Sequence, residues 1–256
     1  MPDLVVQDLS MRFGGVTALD GLSFSVESAQ ICSLIGPNGA GKTSLFNCIS
    51  GHYRASGGSI AIDGQDVLGL PPARMAKHGL ARTFQHPALQ LTSTVLDNVV
   101  LGAYPRLPGG PVEWALHLPR TAKAERAARE EALGLLERMG LAWAAPVEAD
   151  ELSHGLHKSI ELCRALMLHP GLLLLDEPAA GLSHGEVEQL IETVKRLRDE
   201  DGMTVVVVEH NMSLISEITD RVLVLDHGRR LMEGTAAEAQ SDARVIEAYL
   251  GAPDAA

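Results

Sequence analysis

The segment "GPNGAGKTS", residues 36 to 44, restricts the fold of this chain more than any other stretch. It follows the apolar run "ICSLI" and leads into "LFNCISG", so it fits G-x-x-x-x-G-K-[ST] in the strand–loop–helix setting that the motif requires. Gly36, Gly39 and Gly41 let the backbone fold tightly enough for its N–H groups to wrap an anion, and Pro37, Asn38, Ala40 and Ser44 complete the cradle. The helix that follows adds its dipole. Lys42 is placed to reach β- and γ-phosphates, and the Thr43 hydroxyl to ligate Mg²⁺. A loop of this kind needs a buried strand before it and a helix after it.

The rest of the chain supplies such a setting. "LVVQDLSMRF", "LSFSVESAQ" and "GGSIAIDGQDV" read as β-structure between turn residues. From about residue 90 to 165 the character is helical: "TVLDNVVLGAY", a loose "PRLPGGP", then "TAKAERAAREEALGLLERMGL", with Leu133, Leu136 and Met139 spaced as an apolar face. Beyond residue 170, the apolar runs "LLLLDEP", "TVVVVEH" and "RVLVLDHG" alternate with amphipathic helices, the pattern of a parallel sheet covered on both faces. The final "GAPDAA" is expected to fray.

Two of those strands end in reactive groups. "LLLLDEP" delivers Asp176 and Glu177 to the C-terminal end of a strand, where open α/β sheets bind ligands. Asp176 is expected to hold Mg²⁺ through water, and Glu177 to orient and deprotonate an attacking water. His210 ends "VVVVEH" and is expected to donate a hydrogen bond to a γ-phosphate. "LSHGLHKS" is open to two readings. Ser153 caps a helix whose Ile160, Cys163 and Leu166 face a core, or the same helix start holds a phosphate. His154 and His157 have no converging cysteine or carboxylate in sequence, so they are not read as a zinc pair.

Composition removes other functions. The 256 residues allow one large domain or a core with a subdomain. A net charge of −12 and few aromatics argue against nucleic acid as a partner. Cys32, Cys48 and Cys163 each lie in apolar sequence, as expected of buried, reduced thiols in the cytosol. No run reaches the ~18 apolar residues of a membrane span, and "MPDLVVQD" has no secretory pattern. The Asn-Lys-x-Asp guanine motif of small GTPases is absent.

Taken in order, these residues resemble the nucleotide-binding subunit of an ABC transporter over nearly the whole chain. "GPNGAGKT" resembles the family's phosphate loop, Gln85 in "RTFQ" its glutamine loop and "LSHG" its signature. "LLLLDEP" resembles its magnesium and base motif, His210 its switch histidine, and Phe13 in "MRFGG" the aromatic that stacks on adenine. "RFGGVTALDG", "LARTFQHP", "EPAAGL", "VVEHNM" and "VIEAYLG" resemble the ATPases of branched-chain amino acid importers and the related urea and amide importers.

The resemblance implies an α/β, RecA-like P-loop core with an antiparallel β subdomain and an inserted helical subdomain over roughly 88–165, within one domain of 1–256. It implies ATP and Mg²⁺, with Gln85 near the metal and water. It also implies a head-to-tail homo- or heterodimer sandwiching two ATPs, the Ser153 hydroxyl and Gly155 N–H reaching the γ-phosphate held by the partner. Two transmembrane permease subunits and an external solute-binding protein complete the implied assembly, with this subunit peripheral on the cytoplasmic face. A soluble, non-transport ABC module is the alternative. Leu156 stands where the family usually has glutamine, and Ser183 where it has aspartate or asparagine.

Overall fold

The computed structural model describes residues 3–250 apart from 86 and 117, so the 251–256 tail lies outside the described residues. In chain order the elements are β1 (Leu4–Phe13), β2 (Val16–Val26), β3 (Ile31–Ile35), α1 (Lys42–Ile49), β4 (Gly57–Ile62), β5 (Gln65–Asp66), α2 (Pro72–Met75) and β6 (Leu80–Arg82). The helices α3 (Val95–Val100), α4 (Pro111–Ala115), α5 (Pro119–Arg138) and α6 (His154–Leu166) follow. The chain then runs through β7 (Leu172–Asp176), α7 (His184–Asp199), β8 (Thr204–Val208), α8 (Met212–Ile218), β9 (Arg221–Asp226), β10 (Arg229–Gly234), α9 (Ala236–Ser241) and α10 (Ala243–Leu250).

The central sheet has six strands in the order β10-β9-β3-β8-β7-β6. Strands β9, β3, β8, β7 and β6 are parallel, and β10 returns antiparallel beside β9. Every residue of β3, β7 and β8 is buried, because alternate side chains feed opposite layers. Leu173, Leu175, Val205 and Val207 pack under Val187, Ile191 and Val194 of α7 and Leu214 of α8. Leu172, Leu174, Val206 and Val208 face Leu45, Phe46 and Ile49 of α1, together with Leu4, Val6, Leu22 and Ile60 of the N-terminal sheet. That second sheet is antiparallel, four-stranded, and ordered β2-β1-β4-β5.

The helices between β6 and β7 enclose a core of their own, built from Val95, Val99, Ala128, Ala132, Leu136, Ile160 and Cys163. The expected apolar face of α5 needs correction. Two of its three positions hold, since Leu136 is buried and Met139, just past the helix, packs against the core. Leu133 is exposed, however, and Ala128 and Ala132 complete the contact face with Leu136, one turn apart at each step. The helix expected over "TVLDNVVLGAY" ends at Val100 and continues as 3₁₀ turns containing Pro105, which has no N–H for an α-helical bond. No element is expected from the sequence over strand β6, helix α4 or the closing β10–α9–α10 unit, although α9 opens on a Thr235–Glu238 capping box.

Two contacts fix the geometry around the reactive strands. α7 starts in a capping box, with Ser183 N donating to Glu186 Oε2 at 2.8 Å. At the far edge, Ala239 of α9 and Val245 of α10 pack on Ile35, Val222 and Val224, which draws the C-terminal helix toward the end of β3. The three cysteines are buried and unpaired with one another, and burial pushes Cys32 and Cys163 to about 12 and Cys48 to about 11.

Candidate active site

The strand order makes β3, β8 and β7 neighbours, so three C-terminal strand ends open onto one place. β3 delivers the 36–44 loop, β7 delivers Asp176 and Glu177, and β8 leads to Glu209 and His210. The loop leaves β3 at Gly36, whose φ of +147° and contact with the Leu225 carbonyl leave no room for a Cβ. Gly41, at φ +104°, starts α1 in a conformation costly for other residues, and a Cβ there would sit 2.6 Å from the Ala18 carbonyl oxygen. Asn38, Gly39 and Thr43 are exposed at the rim, with Ser44 partly covered behind them, while Ala40 is buried.

Lys42 is buried beneath this loop. Its ammonium donates to the Gly36 carbonyl at 2.6 Å and the Pro37 carbonyl at 2.9 Å, which leaves one of three donors for a phosphate oxygen. Burial lowers its pKa, and the Glu177 carboxylate opposes that shift.

Glu177 sits between two polar side chains. Gln85 Nε2 donates to its Oε2 at 2.9 Å, and His210 Nε2 lies 3.2 Å from its Oε1. Its backbone is left-handed, φ +47°, held by a bond from Glu177 N to the Val208 carbonyl at 2.9 Å and by Lys158 Nζ, which donates to the Glu177 carbonyl at 2.6 Å. Burial lowers the pKa of Lys158, and the surrounding carboxylates of Glu209, Glu177, Glu161 and Asp176 counter it. Such a constrained carboxylate is suited to orienting a water and accepting its proton.

Asp176 is buried, and one of its oxygens is committed: Arg82 Nη2 donates to Oδ2 at 2.9 Å. Arg82 also donates to Asn47 Oδ1 at 2.7 Å and Ser50 Oγ at 2.8 Å, and it lies against the Phe46 and Phe84 rings. The second Asp176 oxygen, the Thr43 hydroxyl and the amide oxygen of Gln85 are all hard oxygen donors, carried at or after the ends of strands β7, β3 and β6 of the same sheet. That suits Mg²⁺, which keeps several waters and takes few protein ligands.

Phe13 closes β1 with its ring 43 % exposed and edge-on to Tyr53, centroids 5.3 Å apart. Ser153 caps α6, its Oγ accepting Leu156 N at 3.3 Å, and its side chain is exposed. Gly155 is buried close against the Glu186 carboxylate, where a Cβ would lie 2.2 Å from Oε1, so the start of α6 lies beside the start of α7. Leu156 turns inward, packing on the core of the helical region and lining a cavity with Lys158, Glu161, Leu182 and Leu190.

Three residues of this site lie within the stretches "LARTFQHP", "LSHGLHKS" and "VVEHNM", but the sequence assigns them no role. Arg82 and Lys158 are described above. The third, Glu209, is buried and accepts Ala179 N at 2.7 Å, His210 N at 2.8 Å and Asn211 N at 3.0 Å, tying the loop after β7 to the loop after β8. A charged residue directly after the apolar run "VVVV" was the available signal.

A family model described as ABC transporter matches residues 19–180, and one described as Branched-chain amino acid ATP-binding cassette transporter matches residues 229–255. Over 250 residues, 98 % of each chain, the sequence is 39 % identical to the high-affinity branched-chain amino acid transport ATP-binding protein BraF of Pseudomonas aeruginosa. It is equally similar, over the same coverage, to LivG of Escherichia coli K12. Among solved structures, a nucleotide-free ATP-binding cassette from an ABC transporter superposes with a TM-score of 0.86 at 31 % identity, covering 98 % of this chain and 100 % of that one. An ATP-binding cassette in its ADP conformation gives a TM-score of 0.85 at 32 % identity, covering 98 % and 99 %. With the phosphate loop, the acidic strand end and these similarities in agreement, the chain belongs to the ABC transporter family, as one of its ATP-hydrolysing cassettes.

Proposed function

We propose that this chain is the ATPase subunit of an importer for branched-chain amino acids or a related small polar solute, acting as a dimer at the cytoplasmic face of two permease subunits served by an external solute-binding protein. The similarity to branched-chain amino acid transport ATP-binding proteins over 98 % of the chain supports the solute class. Among the described residues no helix is long and apolar enough to cross a membrane; in this reading the pathway for solute is supplied by the permease subunits. We take residues 1–256 as one cassette, with a helical arm over roughly 88–165.

The observation that carries the hydrolytic reading is the Glu177 carboxylate held between Gln85 and His210. In this reading Phe13 stacks on adenine, and the 36–44 backbone with Lys42 holds the phosphates. Thr43, Asp176 and Gln85 hold Mg²⁺, which when bound neutralises charge on the phosphates. Glu177 orients the attacking water and takes its proton, and His210 donates to the γ-phosphate. Ser153 and Gly155 contact the nucleotide of the opposite subunit.

The experiment pairs ATP titration with phosphate release. Lys42→Ala is expected to lose tight nucleotide binding. Glu177→Gln is expected to keep it while hydrolysis falls by about 10²–10⁴-fold. Ordinary turnover by the Glu177→Gln protein overturns the assignment of the base.

A further inference from the structure

We infer that Tyr249, in the C-terminal helix α10, is a positioning residue for the phosphate loop and couples docking of that helix to nucleotide affinity. The proposal rests on the reading of residues 36–44 as the phosphate site. The phenol oxygen of Tyr249 accepts the backbone N–H of Gly36 at 2.8 Å, a contact across 213 positions of sequence. Gly36 is buried and lies just past Ile35, where the β3–β9 ladder ends, so its N–H has no strand partner there. A buried N–H without an acceptor is costly, and Tyr249 supplies the acceptor.

The same glycine then reaches the nucleotide side of the loop. Its carbonyl accepts Lys42 Nζ at 2.6 Å, so one residue links the Tyr249 phenol to the ammonium meant for the phosphates. Gly36 cannot shift toward β9, because it already abuts the Leu225 carbonyl. The Tyr249 bond adds a second fixed contact to the same residue. The helix carrying Tyr249 is itself seated, through buried Val245, on the cluster that contains Ile35. A phenol is neutral at ordinary pH, and partial burial raises the Tyr249 pKa further. Tyr249 also falls in the 229–255 segment that the branched-chain family model matches separately from the general cassette. Its hydrogen bond gives that segment a physical task at the loop.

The test is Tyr249→Phe in the full chain, which keeps the ring and deletes the acceptor. Loss of one net hydrogen bond predicts a two- to twelve-fold rise in KM and Kd for ATP, equivalent to about 0.5–1.5 kcal/mol, with a smaller change in kcat. Amide exchange at Gly36, followed in ¹⁵N-labelled protein, is expected to quicken. Lys42→Ala serves as the reference. If it loses ATP while Tyr249→Phe leaves KM and Gly36 exchange unaltered, the positioning role is overturned and the phosphate site stands. A lower unfolding midpoint with unchanged KM also overturns it, by making Tyr249 a packing residue. Failure of Lys42→Ala to alter ATP binding would instead remove the underlying phosphate-site reading.

Discussion

Arg82 and Asp176 form an ion pair of 2.9 Å in which both side chains are almost fully buried, at 6 % and 10 % exposure. The pair joins the end of edge strand β6 to the carboxylate at the end of β7. Removing one partner of such a pair strands a charge in a poor solvent, which typically costs about 3–5 kcal/mol. Arg82→Met is therefore expected to destabilise the chain by about 3 kcal/mol, the lower end, because Asp176 borders an open site. Urea unfolding measures this. A loss below about 1 kcal/mol would mean that water or a cation replaces the guanidinium.

Glu177 holds a left-handed backbone conformation without being glycine, φ +47°. Conformations of this kind cost of order 1–3 kcal/mol and persist where surrounding contacts fix them. Glu177→Gly relieves that cost but adds unfolded-state entropy of roughly 0.5–1 kcal/mol and deletes the bonds to Gln85 and His210. The expected outcome is a chain of equal or slightly higher stability with hydrolysis abolished. Calorimetry and phosphate release check it together. A marked fall in the unfolding midpoint would show that the side-chain bonds outweigh the strain.

The placement of the 36–44 loop, Asp176–Glu177 and His210 at strand ends was legible because the motif has fixed residue types at fixed local spacing, on strands whose apolar runs are equally local. Arg82, Glu209 and Tyr249 were not legible because their partners are distant in sequence. Arg82 finds Asp176 across 94 positions, Glu209 finds Ala179 across 30, and Tyr249 finds Gly36 across 213. Only the strand order β9-β3-β8-β7-β6 brings them together. On α5, only Leu133 departs from the expected face, and the cause is different. Two registers of apolar residues coexist on that helix, and the one with small Ala128 and Ala132 packs more closely than the one with Leu133.

Phe13 gives a test of base stacking. Its ring is 43 % exposed and supported by Tyr53, so its truncation disturbs little of the core. Phe13→Ala is expected to weaken ATP binding by about 1–3 kcal/mol, in line with base–aromatic stacking elsewhere. Calorimetric titration provides the number. Unchanged affinity would show that the ring contributes nothing to the nucleotide.

Ser153 already has a role within its own chain, and that role is compatible with a second. Its oxygen accepts Leu156 N at 3.3 Å as a helix cap, yet a hydroxyl keeps its own hydrogen to donate elsewhere. Two substitutions separate the functions. Ser153→Asp caps a helix as well as serine does, but places a negative charge where a phosphate is expected, so stability should hold while ATP-driven dimerisation fails. Ser153→Ala should lose about 0.5–2 kcal/mol of cap stability, and ATP affinity should weaken roughly ten- to a hundred-fold with the charge-assisted bond. Crosslinking then identifies whose nucleotide Ser153 serves. Cys32, Cys48 and Cys163 are buried, so they need not be replaced. One chain carries Ser153→Cys and a second, of different length, carries Asn38→Cys at the exposed loop, both in a Glu177→Gln background that retains ATP. Disulfides between the two chains, formed only with ATP, are the expected result. If the doubly substituted single chain instead crosslinks to itself, and the mixture does not crosslink, Ser153 belongs to its own site and is a helix cap alone.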